Sequence, residues 1–261
     1  MLGAVIVLVA ALAVLVGLSL GLLGGGGSIL TVPLLVYVAG MDAKEAIATS
    51  LLVVGVTSAA ATLAHARAGR VQWRTGLLFG GVAMVGAYLG GRVAEFLPGA
   101  LLLIAFAVMM LATAWAMLRR RPGHEPSRGP DPSRGHGSGS WALVVAEGLV
   151  VGFVTGIVGA GGGFLVVPAL VLLGGLSMPV AVGTSLVVIT MKSGAGLAGY
   201  LSSVSIDWGT AGVVTLAAVV GALVGGRLVA RVHPDRLRAA FGWFVLVMGV
   251  LVLAQEVLAL V

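Results

Sequence analysis

Long apolar runs separated by short polar loops fill this chain from end to end. A glycine-interrupted apolar stretch covers about residues 2–39, and three uninterrupted runs follow at roughly 44–64, 75–96 and 100–118. After the hydrophilic segment RRRPGHEPSRGPDPSRGHGSGS at 119–140 the series begins again, with an interrupted stretch at 141–175 and runs at 180–200, 210–230 and 238–258. A helix of about 20 apolar residues crosses a hydrocarbon core roughly 30 Å thick. The pattern therefore predicts an all-α polytopic membrane protein. The Pro-, Gly-, Ser- and Arg-rich segment cannot bury a core and reads as a flexible linker. It divides the chain into a first membrane repeat at 1–118, the linker at 119–140 and a second membrane repeat at 141–261.

The two sides repeat each other residue for residue. Gly17 matches Gly152, Pro33 matches Pro168, ATSL at 48–51 matches GTSL at 183–186, Trp73 matches Trp208, and GGR at 90–92 matches GGR at 225–227, every pair 135 residues apart. Shared apolar composition does not place Pro, Trp, Arg and Thr-Ser at one fixed offset, so the chain reads as a duplication. In each half the arm after the glycines is short: SILTVPLLVYVAG spans about 18 Å at 1.5 Å per residue, less than a crossing. It is expected to return as a hairpin.

Charge orients the halves, because Lys and Arg concentrate in cytoplasmic loops. A hairpin plus three spans per half turns the second half upside down. The loop HARAGRVQWR with Arg67, Arg70 and Arg74, the linker, and RVHPDRLR with Arg231, Arg236 and Arg238 then share the cytoplasmic side. LSSVSIDWG, without a basic residue, falls outside with both termini. The expectation is an inverted-topology internal repeat, each half a Gly-broken helical hairpin plus three transmembrane helices.

Composition agrees and narrows the chemistry. Hydrophobic residues make up 59% of the chain and charged ones 9%, with mean hydropathy +1.16, far from soluble domains. Absence of cysteine excludes disulfides and thiol chemistry. The net charge of +6 sits in short loops, which marks topology rather than nucleic-acid binding. The N-terminal run lacks the charged region and cleavage site of a signal peptide and is expected to be retained.

GLLGGGGSILTVP at 21–33 and GIVGAGGGFLVVP at 156–168 break apolar stretches in the same way. Unpaired backbone groups survive at membrane depth only when buried in protein or lining a wet cavity. Glycine permits the turn, and a short helix starting near Ser28 or Gly163 presents free amides and a positive dipole end, which favours an anion. Two such ends in an inverted repeat suit a central substrate site. GLSLG (17–21), GAYLG (86–90) and GALVG (221–225) instead show the small-xxx-small spacing of close helix packing. A dinucleotide-binding reading of GIVGAGGG fails, since no acidic residue follows within 20 positions.

These two glycine motifs, with ATSL and GTSL after them, resemble the TauE/SafE-type sulfite exporter family, and the resemblance covers about 17–118 and 152–253. It implies a duplicated transporter in a prokaryotic cytoplasmic (inner) membrane. It also implies small sulfur-containing anions such as sulfite, sulfoacetate and related sulfonates as the substrate class.

Candidate substrate contacts are Gly26, Gly27, Ser28, Gly161, Gly162 and Gly163 at the breaks, Thr49, Ser50, Thr184 and Ser185 at the matched Thr-Ser positions, and Lys192. A mid-span lysine costs about 2.5–3.5 kcal/mol on insertion scales and needs a partner or a cavity. Its repeat mate is Thr57, so the duplicated fold does not demand it; a structural pairing with Glu147 is the alternative. The hydroxyls serve equally as helix caps or as bonds to the preceding turn. Pro33 and Pro168 are candidates for the helix break or gating, and Glu147 for proton coupling. Arg92 and Arg227 are expected to reach the interface, Trp73 and Trp208 to lie in the aromatic belt, and His65 to be a loop-end residue.

The leading reading is a secondary transporter using alternating access, with no cofactor and no nucleotide as direct energy source. Its partners are the bilayer and a small anionic substrate, and a homo-oligomer is compatible with the sequence. An anion channel built on the same site is the nearest alternative. An intramembrane enzyme pairing Ser28 with His65 is a remoter one.

Overall fold

The computed structural model describes residues 2–23, 26–119, 138–159, 166–167, 170, 176–228 and 234–260. Eight long helices are described: α1 (Leu2–Leu23), α2 (Ala43–Arg67), α3 (Trp73–Ala94), α4 (Gly99–Arg119), α5 (Ser138–Val158), α6 (Met178–Tyr200), α7 (Trp208–Leu228) and α8 (Pro234–Leu260). Four of them, α2, α3, α6 from Pro179, and α7, are long and apolar enough to cross a membrane by length and composition, and the fully described apolar stretches within the others, such as Val7–Leu22 and Val245–Leu258, are shorter. Gly161, Gly162, Gly163, Pro168, Arg231 and most of the expected linker lie outside the described residues. At its edges, Arg119 ends α4 and Ser138–Ser140 begin α5.

Local chemistry sets the boundaries. Asp42 caps α2 by accepting from the Lys44 amide at 3.3 Å, satisfying an amide that has no intrahelical partner. Pro179 in the first turn of α6 needs no such bond. Gly159, at φ +68, ends α5 in the left-handed region, its amide bonding back to the Thr155 carbonyl at 3.0 Å.

After α1, residues 26–38 form an irregular helical arm: a 3-10 turn (Gly26–Leu30), one α-turn (Thr31–Pro33) and a π-turn (Leu34–Val38). Pro33 keeps helical angles, φ −56 and ψ −38. It lacks an amide proton and sits where hydrogen bonding changes from α to π. The arm folds back along α1, with Leu34 and Leu35 packed among Val9, Ala13 and Val16.

The halves interlock through glycines. Methyl groups at Gly17 and Gly21 of α1 would overlap the carbonyls of Ala218 and Ala222 of α7; at Gly152 and Gly156 of α5 they would overlap those of Ala83 and Ala87 of α3. On the facing sides, Gly86 and Gly90 meet the Leu149 and Phe153 carbonyls, while Gly221 and Gly225 meet those of Val14 and Leu18. Each contact recurs 135 residues along with the halves exchanged. The same exchange relates the α2–α7 packing to the α6–α3 packing, while α2 pairs with its own mate α6, and α4 with α8. Where α2 crosses α6, a methyl on Gly55 would lie 3.3 Å from the Ser193 Cβ. These two helices are the most enclosed of the four long spans, so the centre of the molecule is built on them.

Candidate functional site

Lys192 projects from the middle of α6 and is 1% exposed. Its ammonium donates to Thr155 Oγ1 of α5 at 3.1 Å. That hydroxyl in turn reaches the Val151 carbonyl at 2.7 Å and the Gly152 carbonyl at 3.2 Å. An ammonium carries three donors, and Thr155 is its one hydrogen-bond partner among the described residues. Beside it lies a narrow void lined by Leu51 and Ala87 of the first half and Thr155, Gly156, Lys192 and Ser193 of the second. The void is too narrow to admit a water molecule. Among the described residues no carboxylate pairs with this cation, which sits on the boundary between the two halves.

Unsatisfied hydroxyls share the neighbouring helices. Ser193 Oγ, Ser58 Oγ and Thr57 Oγ1 are buried without hydrogen-bond partners, although burying such a group unpaired costs roughly 1–3 kcal/mol. Ser58 is the repeat mate of Ser193 and Thr57 that of Lys192. Of the three, Ser193 lines the crevice with Lys192, so a positive charge and a free hydroxyl face the same narrow space.

The Thr-Ser motifs lie elsewhere. Ser50 Oγ reaches the Gly159 carbonyl at 2.6 Å and the Ile47 carbonyl at 2.8 Å, so the motif of one half clasps the glycine turn of the other. Thr184 Oγ1 accepts from the Gln72 amide at 3.0 Å, serving the start of α3. Ser185 Oγ bonds back to Val182 at 2.8 Å. Thr49 Oγ1 is buried without a partner. Thr184 stands two turns before Lys192, about 12 Å along the helix axis, so these hydroxyls and the lysine form separate groups.

Ser28 is fully buried and engaged in its own interactions. It opens the return arm with Gly26 and Gly27, and its neighbour Ile29 packs in the same cluster as Leu51, which lines the lysine void. Glu147 lies two turns before Thr155 on α5. Its Oε2 is buried without a hydrogen-bond partner, and the lysine is held by the threonine instead.

His65, expected at a loop end, is 3% exposed within the last turn of α2. Neither ring nitrogen makes a hydrogen bond of normal geometry, so Ser28 does not bond it. Arg92 pairs with Glu95 at 3.2 Å and with the Ser202 hydroxyl, and Arg227 is exposed in the last turn of α7. Trp73 and Trp208 are exposed at the starts of α3 and α7.

Thr155 is the participant that reading the chain missed. A signal was there: its repeat mate is the apolar Leu20, so the second half gains a hydroxyl and a cation together.

A family model described as "Sulfite exporter TauE/SafE" matches residues 9–252. Among curated proteins, a probable membrane transporter protein of Xylella fastidiosa (strain Temecula1) is 32% identical, covering 95% of this chain and 94% of its own. The probable membrane transporter protein YunE of Bacillus subtilis is 31% identical over 87% and 88%. Another of Methanocaldococcus jannaschii is 26% identical over 93% and 94%. No solved structure matches.

Proposed function

The chain belongs to the sulfite exporter TauE/SafE family of membrane transporters, and on that footing we propose that it is a secondary transporter of small sulfur-containing anions such as sulfite, sulfoacetate or other organosulfonates. Lys192 is the charged contact. The observation that carries this reading is the buried ammonium, held by one neutral hydroxyl and bordered by both halves. An intramembrane cation without a carboxylate stands ready for a mobile counter-charge. Ser193, Ser58 and Thr57 are assigned as hydroxyl donors, and the amides of Gly26, Gly27 and Ser28 and of Gly161, Gly162 and Gly163 as further donors to the anion. Thr49, two turns before Thr57 on α2, is assigned a separate contact on the solute's path, and Ser50, Thr184 and Ser185 brace the surrounding helices through the bonds that they make.

Topology is read as an inverted repeat, hairpin plus three spans in each half, in a prokaryotic inner membrane. The exchanged pairs of interhelical contacts fit two halves related by a two-fold operation, and the basic loops favour the inverted orientation. In such a repeat, one half rocks against the other around a fixed central site. The void beside Lys192 is closed to water, so solute reaches it only when the halves move, which favours a carrier over a continuous pore. Glu147, with a buried unpaired oxygen, is the residue assigned to proton coupling.

The test is transport in proteoliposomes. Sulfite or sulfoacetate is expected to show saturable uptake and counterflow, abolished in Lys192→Met while the variant keeps its thermal stability. Unitary conductance would instead identify a channel. Counterflow equal in wild type and variant removes the lysine from the mechanism.

A further inference from the structure

A second polar cavity lies at the end of α2 and α7, away from Lys192. It measures about 130 Å³ and is lined by Ala64, His65, Ala68, Arg70, Gly226 and Arg227. One water needs only roughly 10–15 Å³ of such volume, so this space has room for a hydrated or polyatomic solute.

The duplication supplies an internal control. The corresponding corner of the molecule, 135 residues away, is made by Gly199, Tyr200, Gly91 and Arg92, and it is closed. A methyl on Gly91 would lie 2.6 Å from the Gly196 carbonyl and 3.3 Å from the Tyr200 ring, and one on Gly199 2.7 Å from the Tyr88 carbonyl. The Tyr200 hydroxyl donates to the Ile157 carbonyl. Arg92 is neutralised by Glu95. In the open corner Ala64 stands where Gly199 would, and its methyl carbon lies 3.8 Å from a methyl placed on Gly226, so this corner is packed more loosely than its mate. His65 replaces the tyrosine, and both its nitrogens are buried without a normal hydrogen bond, although the Gly21 backbone approaches the ring. Neither Arg70 nor Arg227 forms an ion pair among the described residues.

Arginines at helix ends are ordinary interface anchors; an orphaned, 3% exposed imidazole lining a cavity with two uncompensated guanidiniums is not. The C-termini of α2 and α7 each contribute about half a negative charge here, and the two guanidiniums exceed that. The geometry points to a binding site for one small tetrahedral oxyanion, or the phosphate of an anionic lipid, held by Arg70, Arg227 and the donor nitrogen of His65. The site stands independently of the assignment of Lys192.

The chain has four histidines, His65, His124, His136 and His233, so isotopic labelling of histidine gives a local probe. In phosphatidylcholine nanodiscs, titration with sodium sulfate is expected to shift the His65 resonance to saturation, identified by its loss in His65→Gln. The shift persists in Lys192→Met and needs at least 10-fold more sulfate in Arg70→Gln/Arg227→Gln, whose folding is checked by thermal melting. Nanodiscs containing phosphatidylglycerol separate the sources: a His65 shift without sulfate assigns the lipid phosphate. A resonance unmoved by sulfate and by the anionic lipid overturns the proposal. So does a response lost in Lys192→Met or unchanged in the double variant. Failure of transport in Lys192→Met bears on the central site alone.

Discussion

Lys192 rests on Thr155: a fully buried ammonium donates at 3.1 Å to a hydroxyl whose own proton is committed to the backbone of α5. Removing one partner of such a bond is expected to cost about 1.5–3 kcal/mol, because the charge stays behind undercompensated. Thr155→Val should lower the unfolding temperature in detergent, and Thr155→Val/Lys192→Met should restore it. A double variant as unstable as the single one contradicts this account.

Ser50 and Thr49 are adjacent and predict opposite behaviour. Ser50→Ala strips the Gly159 carbonyl of its 2.6 Å donor, for a loss of roughly 1–3 kcal/mol read by thermal melting. Thr49 Oγ1 has no partner to lose, so Thr49→Val leaves stability unchanged or raised. Reduced transport in that stable variant would mark the hydroxyl as a substrate contact.

Two glycines of α3 separate packing from propensity. At Gly86 a methyl group would overlap the Leu149 carbonyl, whereas at Gly81 nothing lies within 4 Å. Gly86→Ala is expected to destabilise by about 1–3 kcal/mol through overpacking. Gly81→Ala should stabilise by about 0.4–1 kcal/mol by restricting the unfolded chain. Equal melting temperatures for the two variants would refute the close approach of α3 to α5.

Asp207 caps α7, accepting from the Thr210 hydroxyl at 2.6 Å and the Gly209 amide at 3.0 Å. The Thr210 hydroxyl, then the Gly209 amide, hold its carboxyl below the ordinary value of 3.8. A depressed folded-state pKa contributes stability that is fully present above about pH 4 and lost as pH falls through the lower folded value. Asp207→Ala should therefore melt lower than wild type at pH 7, with the gap closing toward pH 3. A gap independent of pH would rule out the ionised cap.

Much of the molecule was legible from the chain. Runs at 44–64 and 75–96 anticipate Ala43–Arg67 and Trp73–Ala94, since length and apolarity are local properties in a solvent without hydrogen bonds. Helix ends moved by a few residues where capping intervened, as Asp42 does for α2. The packing assigned to GLSLG, GAYLG and GALVG was legible too, and the 135-residue offset tells which motif meets which once a single pair is seen.

Tertiary structure alone decided what each polar side chain faces. Thr184 and Ser50 come from matched motifs, yet one accepts from the Gln72 amide and the other donates to Gly159. His65, assigned to a loop, became the buried wall of a cavity. The sequence by itself determined that the chain is a helical membrane protein with matched motifs 135 residues apart, because apolar length and motif offset are read along the chain. Which hydroxyl holds Lys192, and which corner stays open, depended on helix rotation and spacing. Both are set by packing between helices that the linear order does not relate, tight at Gly199 and looser at Ala64.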